Sequence, residues 1–270
     1  MRTIVHLSDL HFGRVDHALL DPLVAAVAAA RPDVVAVSGD LTQRARNSQF
    51  QDARAFLDRL PTPQIVVPGN HDVPLYDVVR RFAAPLRRFR RHITAESAPF
   101  YQDDKIAIVG INTARSLTFK GGRINEDQVA LVAKRFAGLD DSILRVVVTH
   151  HPFDLPEQGE EADIVGRASM AMRAFAACGV DLFLSGHMHQ THASSTADRY
   201  KIEAHSALVV QAGTASSTRG REASNAFNVI RIAQPEIAID TWNWQPTTAT
   251  FAHVQTAAFR RGESGWSRGG

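Results

Sequence analysis

Short apolar runs, each followed by a polar loop and then a helical pattern, repeat through the first two-thirds of the chain. Residues 4–7, Ile-Val-His-Leu, read as a strand. Residues 19–30 place apolar side chains near a 3.6-residue period and read as a helix that Pro32 stops. Residues 34–37 and 65–67 are β-branched runs and read as buried strands on either side of a helix over 50–60 closed by Pro61. The same alternation continues: an arginine-dense helix over 78–92, a strand over 106–111, a helix over 126–136, a strand over 146–148, a helix over 168–177 and a strand over 181–184. Such a βαβ order builds a sheet with helices packed on its faces. From about residue 191 the pattern turns to strand after strand (192–196, 200–204, 207–212, 226–232, 236–242, 249–254), so two sheets are expected to pack together in an α/β chain.

With 270 residues, 44% of them hydrophobic, the chain can bury one sizeable core. Residues 1–255 read as one domain. Residues 256–270, rich in Gly, Arg and Ser, read as a flexible tail in which Trp266 is the one anchor. The net charge of +2 gives no bulk field for a nucleic acid polymer, and the single cysteine, Cys178, cannot form an internal disulfide. The N-terminal residues run straight into a strand without a signal-peptide pattern, and no run approaches the ~20 apolar residues that span a bilayer. A soluble, cytoplasmic protein without a membrane partner is expected.

Five segments fall where a strand should end: Asp9-Leu10-His11, Gly39-Asp40, Gly69-Asn70-His71-Asp72, His150-His151-Pro152 and Gly186-His187-Met188-His189. The carboxyl ends of strands are where an open α/β sheet places its site. Asp9, His11, Asp40, Asn70, His150, His187 and His189 together offer two carboxylates, one amide oxygen and four imidazoles. That mixture suits transition metals better than calcium or magnesium. Seven donors exceed one tetrahedral site and suit two ions about 3.5–4 Å apart, with Asp40 as the candidate bridge. His71 is left over as a general acid for the leaving-group oxygen, with Asp72 beside it to orient or charge the ring. His150 and His151 compete for one ligand position.

In this order, over residues 9–189, the set D-x-H, G-D, G-N-H-D, H-H-P and G-H-x-H resembles the calcineurin-like metallophosphoesterase superfamily. The resemblance implies a four-layer αββα sandwich of two mixed β-sheets flanked by helices. It assigns Asp9, His11, Asp40 and His189 to one metal, Asp40, Asn70, His150 and His187 to the other, and His71 to the substrate side. Asn112-Thr113, Gly121-Gly122-Arg123-Ile124 and Gln211-Ala212-Gly213-Thr214-Ala215 are similar to the short bacterial branch with class III cyclic-nucleotide phosphodiesterases and glycerophosphodiesterases. The implied activity is hydrolysis of a small phosphodiester by a dimetal-bridging hydroxide, with Mn, Fe or Zn as the metals. A phosphomonoesterase using the same metals, a scaffold that has lost catalysis and a nuclease are the rival readings. Relatives also suggest a homodimer through the β-rich C-terminal part. The resemblance ends near residue 232.

Two sets of arginines lie outside this assignment. Arg80-Arg81, Arg87-Arg88 and Arg90-Arg91 read as a solvated helix face, with substrate steering as the functional alternative. Arg14, Arg44 and Arg115 each follow a motif segment and are candidates for phosphate contact. His6, inside the first strand, reads as a satisfied buried histidine.

Overall fold

In chain order the elements are β1 (Arg2–Leu7), α1 (Leu20–Ala29), β2 (Val34–Ser38), α2 (Asn47–Leu57), β3 (Gln64–Val67), α3 (Val78–Ala83) and α4 (Arg87–His92). Then come β4 (Phe100–Gln102), β5 (Ile106–Gly110), α5 (Glu126–Phe136), β6 (Leu144–Val148), α6 (Ala168–Ala177), β7 (Leu182–Ser185), β8 (His192–Ser195) and β9 (Leu208–Gln211). The chain closes with β10 (Ala226–Ala233), β11 (Glu236–Gln245), β12 (Thr250–Gly262) and β13 (Gly265–Arg268). This computed structural model describes every residue except 119, 156–159, 201, 203–204, 219–223, 264 and 270.

Two mixed sheets form, with strand orders β13-β12-β11-β10-β1-β2-β3 and β4-β5-β6-β7-β9-β8. Period-2 alternation explains how they stack, because successive side chains point to opposite faces. Ile4, Val34, Ala36, Ile65 and Val67 of the first sheet meet Ile108, Val146, Leu182 and Leu184 of the second in one shared core. Their neighbours Val5, Val35 and Val66 turn outward onto Leu23 and Val27 of α1 and Phe50 and Phe56 of α2. On the far side, Ala107, Val109, Val147 and Phe183 pack on Val129 and Val132 of α5 and Met172 and Phe175 of α6. The layers are therefore helix, sheet, sheet, helix. Central strands buried on both faces must be apolar throughout, which is why they read as β-branched runs.

Four expectations need correction. The helix over 78–92 is two short helices, because Pro85 lacks an N–H and pushes Ala84 out of the helical region (φ −155°, ψ 64°). Its arginines are not all solvated: Arg81 is buried, donating to the carbonyls of Pro74 at 2.9 Å, Ser116 at 2.7 Å and Thr118 at 2.6 Å. Most of the tail expected over 256–270 is strand, since β12 runs on to Gly262 and β13 (Gly265–Arg268) pairs back with it. Trp266 lies in the intersheet core, its indole donating to Asp181 Oδ1 at 3.0 Å. The strand expected over 200–204 falls partly on residues outside the described set, and Tyr200 and Ile202 are not in a strand. Among the described residues no helix is long and apolar enough to cross a membrane.

Candidate metal centre

All five motif segments follow strands. Asp9 and His11 follow β1, Asp40 follows β2, Asn70 and His71 follow β3, His150 follows β6, and His187 and His189 follow β7. The loops after β1 and β2 remain paired beyond the strands, with Asp9 N on Gly39 O at 3.1 Å and His11 N on Asp40 O at 2.9 Å. The two sheets interlock at this rim. Gly39 has φ +92°, and a β-carbon there would sit 2.7 Å from His150 Nδ1 and 2.8 Å from the Gly69 amide. Only glycine meets both the backbone angle and the space.

Asp40 stands at the centre. Its Oδ1 accepts from the His71 amide at 2.8 Å and lies 3.5 Å from His150 Nε2, while Oδ2 lies 3.7 Å from His11 Nε2. One carboxylate thus turns its two oxygens toward two histidine groups. On one side Asp9 Oδ1 lies 3.4 Å from His11 Nε2 and 3.5 Å from His189 Nε2. Asp9 Oδ2 is already held by Ser8 Oγ and the His187 amide, which leaves the buried Oδ1 facing the two imidazoles. On the other side His150 Nε2 lies 3.0 Å from Asn70 Oδ1, and the His150 and His187 rings are 5.1 Å apart.

The proton positions favour a cation. His150 Nδ1 lies 2.8 Å from the Ser38 carbonyl, which can only accept, so Nδ1 carries the proton. Its Nε2 then presents a lone pair to the oxygens of Asp40 and Asn70, which repel it unless a cation stands among them. Burial holds the His150 imidazole down at about 3, hence neutral. Burial alone would raise Asp9, but the charge that His189, His11 and His150 carry when protonated outweighs it and keeps the carboxyl well below its ordinary range. Ionised carboxylate and neutral imidazole are the forms that bind metal.

His151 is excluded by the same reasoning. Its Nε2 lies 2.7 Å from the Lys120 carbonyl and its Nδ1 2.8 Å from Thr113 Oγ1, so both ring nitrogens are engaged in supporting the loops. His71 directs Nδ1 to the Gln43 carbonyl at 3.0 Å and leaves Nε2 facing Asp40 Oδ2 at 4.0 Å. Asp72 departs from its expected role. Its buried carboxylate accepts from the amides of Leu41, Thr42 and Gly69 and from Thr42 Oγ1, tying the loops after β2 and β3 together. The ring of His71 is oriented by Gln43 instead. Burial raises the Asp72 carboxyl to about 6, against the pull of those donors.

Among the described residues three groups of side chains could hold a metal ion, Asp9/His11/His189, Asp9/Asp40/His150 and His11/Asp40/His71, and a fourth, His150/His151/His187, lies close enough but has both ring nitrogens of His151 bonded elsewhere. They share members and form one continuous basin. Asp9, His11, Asp40 and His150 make its buried floor, and Asn70, His71, His187 and His189 its partly exposed edge. Three supports had no role assigned from the sequence: Gln43, and Thr113 and Thr214, which lie in segments similar to the short bacterial branch; Thr214 Oγ1 lies 2.6 Å from His189 Nδ1. Asp163 Oδ1 also lies 3.7 Å from His187 Nε2. A single sequence carries no signal for such contacts, because the partners lie far apart along the chain.

The profile of the calcineurin-like phosphoesterase family matches residues 2–191, a span that holds every member of the basin. The chain belongs to that family. The chain is 35% identical over 80 residues to the glycerophosphodiester phosphodiesterase GpdQ of Enterobacter lignolyticus, covering 26% of this chain and 29% of that protein. The chain therefore spans less than a third of that relative's length. It is 24% identical over 210 residues to a probable cyclic nucleotide phosphodiesterase of Synechococcus, covering 70% of this chain and 73% of the relative. The fold matches that of a dimetal phosphatase from Danio rerio at a TM-score of 0.65 and 14% identity, over 95% of this chain and 98% of that one.

Proposed function

We propose that this chain is a dinuclear metal-dependent phosphodiesterase acting on a small phosphodiester, a cyclic nucleotide or a glycerophosphodiester. The observation that carries the reading is the placement of Asp40, whose two oxygens face separate histidine groups as a bridging carboxylate would. Asp9, His11, Asp40 and His189 would hold one ion; Asp40, Asn70, His150 and His187 the other. The donor set of nitrogen and oxygen ligands fits Mn, Fe or Zn. When bound, such ions supply Lewis acidity toward a phosphoryl oxygen and lower the pKa of water.

The chain's own residues do the rest. The buried floor excludes bulk water and fixes the donors before substrate arrives. With Nδ1–H on the Gln43 carbonyl, His71 can release a proton from Nε2 only as the imidazolium, and the departing alkoxide is the natural recipient. The names of the two relatives favour a diester over a monoester. Turnover of bis(p-nitrophenyl) phosphate against p-nitrophenyl phosphate, after chelation and re-addition of Mn, Zn or Fe, separates the two. Metal-restored preference for the diester is expected; preference for the monoester would replace this reading with a phosphatase.

A further inference from the structure

Beside His71 the rim holds a feature that the metal centre does not use. A cleft of about 420 Å³ lies between the corner joining α3 to α4 and the loop after β5. Its charged lining is Arg87, Arg90 and Arg115, with no aspartate or glutamate. A smaller cavity of about 230 Å³ continues it across Leu86, Arg90 and Asn112, and carboxylates enter only there, as Glu96 and Asp127. Val73 forms part of the cleft wall two residues after His71, within about 7 Å along the backbone. Asn112 opens the opposite wall next to Thr113, which supports His151. Two short loop segments thus link the cleft to the substrate side of the metal basin.

Its arginines lack counter-charges. Arg115 is half-buried and donates to the carbonyls of Asn112 and Ala114 and to Gln128 Oε1, all neutral acceptors. Arg87 and Arg90 are exposed at the mouth. Among the described residues none of the three is part of an ion pair. Burial and the neighbouring Arg123 both disfavour the charge on Arg115, so an arriving anion would relieve it. Guanidinium groups match phosphate oxygens in geometry as well as charge, and the volume suits one arm of a nucleotide-sized substrate.

We propose that this cleft is a subsite for a second phosphate group, carried on one arm of the phosphodiester substrate. The inference rests on the phosphodiesterase reading and narrows its substrate class to diesters bearing a further phosphate. It is tested by calorimetric titration of the manganese-loaded protein with thymidine 3′,5′-bisphosphate and with thymidine 5′-phosphate. At low salt the bisphosphate is expected to bind about tenfold more tightly. The gain is expected to vanish in the Arg87→Gln/Arg90→Gln double variant and to persist in Arg260→Gln, an exposed arginine on β12. Both cleft side chains are exposed, so their replacement leaves the core intact. Equal affinities in the natural protein, or a gain that survives the double substitution, would overturn the subsite. The titration needs no turnover. A protein that hydrolyses neither nitrophenyl ester yet shows the arginine-dependent gain would refute the phosphodiesterase reading while the subsite stands.

Discussion

Asp9, His11, Asp40, His187 and His189 all have positive φ, between 50° and 75°, which side-chain-bearing residues rarely adopt. Strained backbone persists where its surroundings over-determine it, and such positions cluster at functional sites. Here the surroundings are the paired loops, the carboxylate of Asp72 and the close approach at Gly39. Which side chains meet in the basin was legible from the motifs, but the strain was not, because φ is set by contacts between distant loops. The resemblance alone prefers His150 to His151 as a donor, and in the structure both ring nitrogens of His151 are bonded to Thr113 and Lys120. The role expected of Asp72 was misread because adjacency in sequence says nothing about where a side chain turns. At this scale the role of His71 has a distinct kinetic signature. His71→Ala is expected to lower kcat about 100-fold or more on an alkyl diester, which needs its leaving oxygen protonated. Nitrophenolate leaves without a proton, so bis(p-nitrophenyl) phosphate should lose far less. Equal losses on both substrates would remove the acid role.

At the scale of elements, the buried strands and the amphipathic helices announced themselves, and α5 (Glu126–Phe136) coincides with its expected bounds. What the sequence concealed were elements whose stability comes from a partner. β4 is three residues long and exists through pairing with β5. β13 carries Gly, Ser and Arg, yet it completes the first sheet because β12 supplies its hydrogen bonds and Trp266 enters the core. Ser195 and Ser206 fasten the same residue through its carbonyl. Trp266→Ala is therefore expected to cost about 3–5 kcal/mol in urea denaturation. A loss within a few tenths of a kcal/mol would restore the flexible-tail reading of the C-terminus.

For the molecule as a whole, the site is shared between the sheets. The first sheet brings Asp9, His11, Asp40 and Asn70, the second His150, His187 and His189, so a metal pair would clasp the two across their common core. Buried neutral histidines give the metal-free protein an acid weakness. His6 is fully buried, bonded through Nε2 to Ser38 Oγ at 2.9 Å, with no partner for Nδ1 among the described residues, and burial lowers it to about 3. The unfolded chain takes up this proton near pH 6.5 while the folded chain refuses it. Stability is thus full above that pH and falls as pH drops toward 3, by ~2 kcal/mol at pH 5 for this one ring. In chelated protein, His6→Gln should lose less stability than the natural chain between pH 7.5 and 5.0; identical losses would contradict the assignment. The central claim, two ions bridged by Asp40, is met most directly by counting metal. Elemental analysis of protein saturated with manganese or zinc and freed of excess should find two ions per chain, and about one in Asn70→Ala. One ion per chain in the natural protein at saturation, or two retained by Asn70→Ala, would contradict it.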